Sequence, residues 1–178
     1  MENQRIRLSK ALLKNALLDL LQTKPLSKIS VLEICESAQI NRTTFYKYYG
    51  SQTDLLDEIE ADFLNQTNEQ LVLVLKESPN AVATILESLY EQRSTFCTLV
   101  KAIPGQAFAN HFFALPSISA IFENLAVTEG YSDQQAKYVR EFIFQGVFAV
   151  LCDWLSSENP EPVSEIAETL WLLRERLI

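Results

Sequence analysis

Two helix-start signals stand eleven residues apart in this chain, at Ser30 and at Asn41. Little fits so short an interval except one helix, a tight turn and the start of another helix. Ser30-Val31-Leu32-Glu33 has the capping-box pattern: the serine hydroxyl accepts from the Glu33 amide, and the Glu33 carboxylate reaches back to the serine amide. The spacing predicts a helix over about 31–38, with Ile34 and Cys35 facing a core and Ala38 small enough for another helix to cross closely. Asn41 is a good N-cap for a further helix of about 42–48, which leaves Gln39-Ile40-Asn41 as the turn. Helix, three-residue turn, helix is the spacing of DNA-binding helix-turn-helix domains.

The flanking residues supply the rest of such a domain. Leu8, Leu12, Leu13, Ala16, Leu17, Leu20 and Leu21 recur at helical spacing, so residues 5–23 read as an amphipathic helix with Lys10, Lys14 and Asp19 on its other side. Beyond the turn, Phe45 and Tyr49 lie four apart and point inward, with Ile40 closing a small core. Arg42, Thr43, Thr44, Tyr46, Lys47 and Tyr48 are left for the outer surface. Arginine can pair with guanine through two hydrogen bonds, threonine can bond phosphate or touch a thymine methyl, and tyrosine and lysine can hold phosphates. Charge is segregated to match. Residues 1–50 carry a net +4 and residues 51–178 a net −12, although the whole chain is acidic at −8. A basic segment on an acidic body concentrates positive potential where a phosphate backbone would sit.

The stretch ISVLEICESAQINRTTFYKYYGSQTDLLDEI resembles the N-terminal domain of the TetR/AcrR family of transcriptional regulators, and the likeness covers about residues 5–62. The resemblance implies that Asn41 through Tyr48 form the turn exit and recognition helix. Within it, Arg42, Thr43 and Thr44 would stand nearest the bases and Tyr46 and Lys47 would meet phosphate. Ser30 at the second helix start and Gln52 at the fourth would add phosphate contacts. Two positions depart from the family. Gln39 stands where glycine is usual, which predicts a strained or reshaped turn. Gln52 replaces a common lysine, which weakens that contact without removing it.

The remainder reads as helix throughout. Four glycines and six prolines are too few for a loop-rich all-β fold, and they punctuate helix-sized segments, so the chain is expected to be all-α with about nine helices. Residues 1–50 would form the helix-turn-helix domain and residues 51–178 a helical domain for effector binding and dimerisation. Ser51, with Asp54 three residues on, opens a long helix to about Lys76. Phe63, Phe96, Phe108, Phe112, Phe113, Phe122 and Phe142 either line a pocket for a small apolar effector or simply pack a core.

The last two apolar segments are too broadly hydrophobic for one buried face. Val139, Ile143, Gly146, Val147, Val150 and Trp154 on one, with Ile166, Leu170, Leu173 and Leu177 on the other, suit an isologous homodimer interface. Three scattered cysteines fit a reducing cytoplasmic setting, and no run is long enough to span a membrane. The single His111 lacks the company a metal site needs, and no cofactor motif or catalytic constellation is present. The expected protein is therefore a dimeric regulator binding a pseudo-palindromic operator in double-stranded DNA, a repressor released by a small molecule. The competing reading is a DNA-binding adaptor whose body docks a partner protein instead.

Overall fold

The computed structural model describes residues 4–77, 81–125 and 131–177; within these, side chains at 74–77, 81, 121–125 and 174–177 are not described. The expected contributions of Phe122 and Leu177 thus lie outside the described residues. Among those described, the chain is entirely helical, with ten α-helices in place of the nine expected. They run α1 Gln4–Leu21, α2 Val31–Ala38, α3 Arg42–Tyr46, α4 Gln52–Glu77, α5 Ala81–Glu91, α6 Arg93–Ala102, α7 Ala107–Phe113, α8 Pro116–Leu125, α9 Asp133–Ser156 and α10 Val163–Leu177, with a 3-10 turn at Leu26–Lys28. The chain divides into two compact units, Met1–Phe63 and Leu64–Ile178.

The first unit is built around a small sealed core. Leu13, Leu17, Ile34, Phe45 and Leu55 are fully buried, joined by Ala16, Ile29, Cys35, Ala38, Tyr49, Leu56, Ile59 and Phe63. Full burial of each large apolar side chain contributes about 1.5–3 kcal/mol. The buried stripe of α1 is narrower than its leucine pattern suggests, because Leu8 and Leu12 are exposed and only Leu13, Ala16 and Leu17 are sealed. On its next face Lys14 Nζ pairs with Glu58 (2.6 Å) and Asp62 (2.5 Å) of α4, and Lys10 lies 3.4 Å from Glu58. Burial pulls the Lys14 pKa down, but the hydrogen bonds and charges of Asp62 and Glu58 outweigh it and leave the ammonium raised.

The second unit holds a ring-on-ring aromatic core. Phe96 of α6 meets Phe108 and Phe112 of α7 and Phe148 of α9, while Phe113 stacks on Phe144 with centroids 4.9 Å apart. Four of the phenylalanines expected around a pocket, Phe96, Phe108, Phe112 and Phe113, thus fill space against one another. Phe63 is buried in the first unit, and Phe142 corrects the expectation most clearly: at 68% exposed it stands apart from the cluster. Two residues along a helix is a rotation of about 200°, so with Phe144 turned into the core Phe142 must face away from it.

Trp154 and Ile166 also depart from expectation. Both are buried within the chain and are not open to a partner; Trp154 lies beside Tyr90 at 5.6 Å and its Nε1 donates to the Glu161 carbonyl at 2.9 Å. Val139, Ile143, Val147, Val150 and Leu170 are half-buried, whereas Gly146 and Leu173 are exposed. Polar pairs tie the remaining helices: Ser88 Oγ donates to Gln70 Oε1 at 2.6 Å, and Ser117 Oγ donates to Asn68 Oδ1 at 2.9 Å. No helix among the described residues is long and apolar enough to cross a membrane.

Candidate nucleic-acid interface

The sequence signals that frame the helix-turn-helix are realised atom by atom. Ser30 Oγ accepts from the Glu33 amide at 3.2 Å, and Glu33 Oε2 accepts from the Ser30 amide at 2.8 Å. The hydrogen bond from Lys24, followed by those from Ser30, holds the Glu33 carboxyl down to about 2. The box therefore stays ionised well below neutral pH. Asn41 Oδ1 accepts from the Thr43 amide at 2.9 Å and caps α3. For α4, Ser51 Oγ accepts from the Asp54 amide at 3.2 Å while Asp54 Oδ2 accepts from the Gly50 amide at 2.9 Å. The candidate reading helix is thus pinned at its own start and again just after its end.

The turn answers the question posed by Gln39. Its backbone is left-handed, φ 54° and ψ 38°, and it is the one non-glycine residue with positive φ among those described. The turn keeps the conformation glycine would adopt, with the Ile40 amide donating to the Cys35 carbonyl at 2.9 Å, and the strain is confined to one residue. Removing a Cβ from this conformation gains about 1–2 kcal/mol, against about 0.5–1 kcal/mol of extra chain entropy lost by glycine on folding. Gln39→Gly is therefore expected to stabilise the protein by roughly 0.5–1 kcal/mol. A higher urea midpoint at unchanged slope would register it; an unchanged or lower midpoint would show that the Gln39 side chain contributes more than its strain costs.

The reading helix itself is shorter than expected. It is α-helical over Arg42–Tyr46, and Lys47 and Tyr48 continue it as a turn in which the Tyr48 amide donates to the Phe45 carbonyl at 2.9 Å. Phe45 and Tyr49 are buried with ring centroids 5.5 Å apart. That anchor turns Arg42, Thr43, Tyr46 and Lys47 to solvent, with Thr44 and Tyr48 half-exposed. Ser30 and Asn41 are exposed at their helix starts, and Gln52 is half-buried as the first residue of α4.

Charge pairing sorts the cations of this unit. Lys10, Lys14 and Lys24 have carboxylate partners, whereas among the described residues Arg42 and Lys47 have none. Both rest on aromatic faces instead: Arg42 lies 5.9 Å from the Tyr46 ring centroid and Lys47 lies 5.8 Å from that of Tyr48. The Arg42 charge also acts on Cys35 of α2, where it opposes the larger effect of burial that pushes the thiol up. Cations without carboxylate partners among the described residues are what an external polyanion requires. Lys28, exposed and without a carboxylate partner among the described residues, stands two residues before Ser30. It is not among the DNA contacts read from the sequence, although its place beside the Ser30 cap is a usable signal.

Comparison with known proteins agrees with this geometry. Residues 14–59 match the model described as bacterial regulatory proteins, tetR family, and residues 76–174 match a transcriptional regulator C-terminal region of the same grouping. The chain is 24% identical over 176 residues to the uncharacterized HTH-type transcriptional regulator YxbF of Bacillus subtilis, a match covering 93% of this chain and 44% of that protein. It is 36% identical over 63 residues to the HTH-type dhaKLM operon transcriptional activator DhaS of Lactococcus lactis, covering 35% of this chain and 34% of that protein. These matches span less than half the length of either curated relative. The crystal structure of a TetR transcriptional regulator from Streptococcus agalactiae shares the fold with a TM-score of 0.74 at 21% identity, over 97% of both chains. With one family match covering the helix-turn-helix and another more than half of the chain, this protein belongs to the TetR family of bacterial transcriptional regulators.

Proposed function

We propose that the protein is a homodimeric, sequence-specific repressor that presents two copies of α3 to successive major grooves of a pseudo-palindromic operator, about one helical turn apart. The observation that carries this reading is the pair of exposed cations, Arg42 on α3 and Lys47 just past its end, which have no carboxylate partner among the described residues and stand on a segment anchored by Phe45 and Tyr49. Arg42, Thr43 and Thr44 read base edges in this proposal. Tyr48, Lys47, Ser30, Gln52 and the additional Lys28 hold phosphates, Tyr46 stands beside Arg42, and Asn41 fixes the helix start. Residues 1–50 carry DNA binding and residues 51–178 carry pairing and response, in the cytoplasm.

Support for pairing comes from the apolar surface left on the last two helices. Tyr138, Phe142 and Gly146 on α9, with Trp171, Leu172 and Leu173 on α10, are exposed in the single chain. An added Cβ at Gly146 would meet nothing within 4 Å, which leaves room for another helix to approach closely. Burial of such a surface against a second copy removes it from water. A small apolar effector inserted among the helices of the second unit would release DNA by favouring one dimer arrangement over another. The Lactococcus relative is named for an operon activator, and the same DNA contacts can activate where the operator lies upstream of a promoter.

The test is retention of duplex fragments enriched from a random pool, followed by fluorescence anisotropy across a range of salt. The expected result is enrichment of an inverted repeat, with affinity falling steeply as salt rises, by roughly 0.9 log units per log unit of salt for each phosphate neutralised. Salt-insensitive or absent retention would overturn the reading.

A further inference from the structure

The geometry points to Tyr46 as a positioning residue: its ring forms a shelf that holds the Arg42 guanidinium in the orientation needed to read a base, so that sequence preference depends on a side chain that reads nothing itself. This rests on the reading of Arg42 as a base-contacting group. Arg42 and Tyr46 are four apart on α3, and a helical side chain covers the turn N-terminal to its own backbone, so the tyrosine ring comes to lie under the arginine. The guanidinium carbon lies 5.9 Å from the ring centroid, within the range of cation–π attraction. The ring is itself held from behind, because Phe45, which is fully buried, meets it edge-on at 5.5 Å and 85°. A chain of contact therefore runs from the sealed core through Tyr46 to Arg42.

An exposed arginine has several rotatable bonds, and fixing it at the moment of binding costs entropy. Among the described residues no carboxylate or backbone carbonyl bonds the Arg42 guanidinium, so the ring is the contact that can restrict it. Tyrosine at this place is open to a second role, a phosphate bond from its hydroxyl, and the two roles respond differently to mutation. Removing only the hydroxyl spares a shelf and destroys a phosphate contact. Removing the ring destroys the shelf.

The experiment uses the full chain and two probes: a duplex enriched by the wild-type protein, and the same duplex with the base pair read by Arg42 replaced. Tyr46→Phe is expected to keep the wild-type ratio of the two affinities, because it keeps the ring. Tyr46→Leu is expected to reduce the ratio of the two affinities by roughly three- to tenfold, with the salt slope unchanged. In an Arg42→Lys background, Tyr46→Leu should change that ratio by less than twofold, because the planar group that rests on the ring is gone. A ratio reduced as much by Tyr46→Phe as by Tyr46→Leu places the effect in the hydroxyl and overturns the shelf. An unchanged ratio for Tyr46→Leu, with helicity retained by circular dichroism, overturns it too. Failure of wild type to enrich any duplex would remove the regulatory reading first, an outcome distinct from either of these.

Discussion

Phe45→Ala is expected to cost about 3–5 kcal/mol of folding stability in the first unit and to abolish duplex binding. Phe45 is fully buried among the rings of Tyr46 and Tyr49, so truncation removes a whole ring's transfer free energy and leaves a cavity. The elements around that cavity are short: α2 has eight residues and α3 five, and little in them can collapse inward to fill it. A domain stable by about 5–15 kcal/mol loses a large share of its margin to such a change. Function suffers beyond the energy, because Phe45 is what sets the rotation of α3 and hence the direction of Arg42 and Lys47. Hydrogen exchange over peptides from α1 to α3 would show protection falling by roughly 10²- to 10⁴-fold. Emission from Trp154 and Trp171, the two tryptophans and both in the second unit, serves as an internal control. A loss below about 1 kcal/mol would mean that α3 is seated by something other than this ring.

Local hydrogen-bonding chemistry made the first unit legible. Ser30, Asn41 and Ser51 carry oxygens that can satisfy helix-start amides, and each does so where the spacing placed it. The boundaries of α2 were readable for the same reason, since a capping box fixes its start and the Gln39 turn its end. The end of α3 was not readable. No residue between Tyr46 and Gly50 opposes helix by propensity, and the chain stops being α-helical there because the Tyr48 amide bonds three residues back. Tyr49 is buried beside Phe45 at that point, and the Phe45–Tyr49 spacing read from the sequence does not say where the α-helix ends.

The second unit was legible in class but not in detail, and α9 shows why. An apolar surface wider than one face announces that a helix is covered on two sides, yet periodicity does not say which side belongs to the chain's own core. Phe144, Phe148 and Trp154 face inward, while Tyr138 and Phe142 face out. Sequence alone groups Phe142 with the phenylalanines of a pocket or core and Trp154 with a dimer face. Choosing between them requires knowing where α6 and α7 lie, and only the Phe96, Phe108 and Phe113 contacts reveal that.

Arg42→Ala and Lys47→Ala are expected to weaken DNA binding in different ways, and the difference tests how the surface is divided. Arg42 stands in the first turn of α3, where a side chain can reach a guanine edge; its loss should cost about 1–3 kcal/mol on the preferred duplex and flatten the preference at one base position. Lys47 stands past the last α-helical residue, directed by the turn that follows, where a side chain meets the backbone of the duplex more readily than its bases. Its loss should weaken binding to every sequence alike and lower the salt slope by about one unit. Neither change should disturb folding, since both side chains are exposed and neither has a carboxylate partner among the described residues. Anisotropy titrations of both variants against the preferred duplex, its single-base replacements and a scrambled duplex, each at several salt concentrations, separate the two effects. A uniform loss for Arg42→Ala would make it a phosphate contact and shift base reading to Thr43 and Thr44. A base-selective loss for Lys47→Ala would mean that α3 enters the groove by its C-terminal end, and the proposed orientation on DNA would have to be reversed.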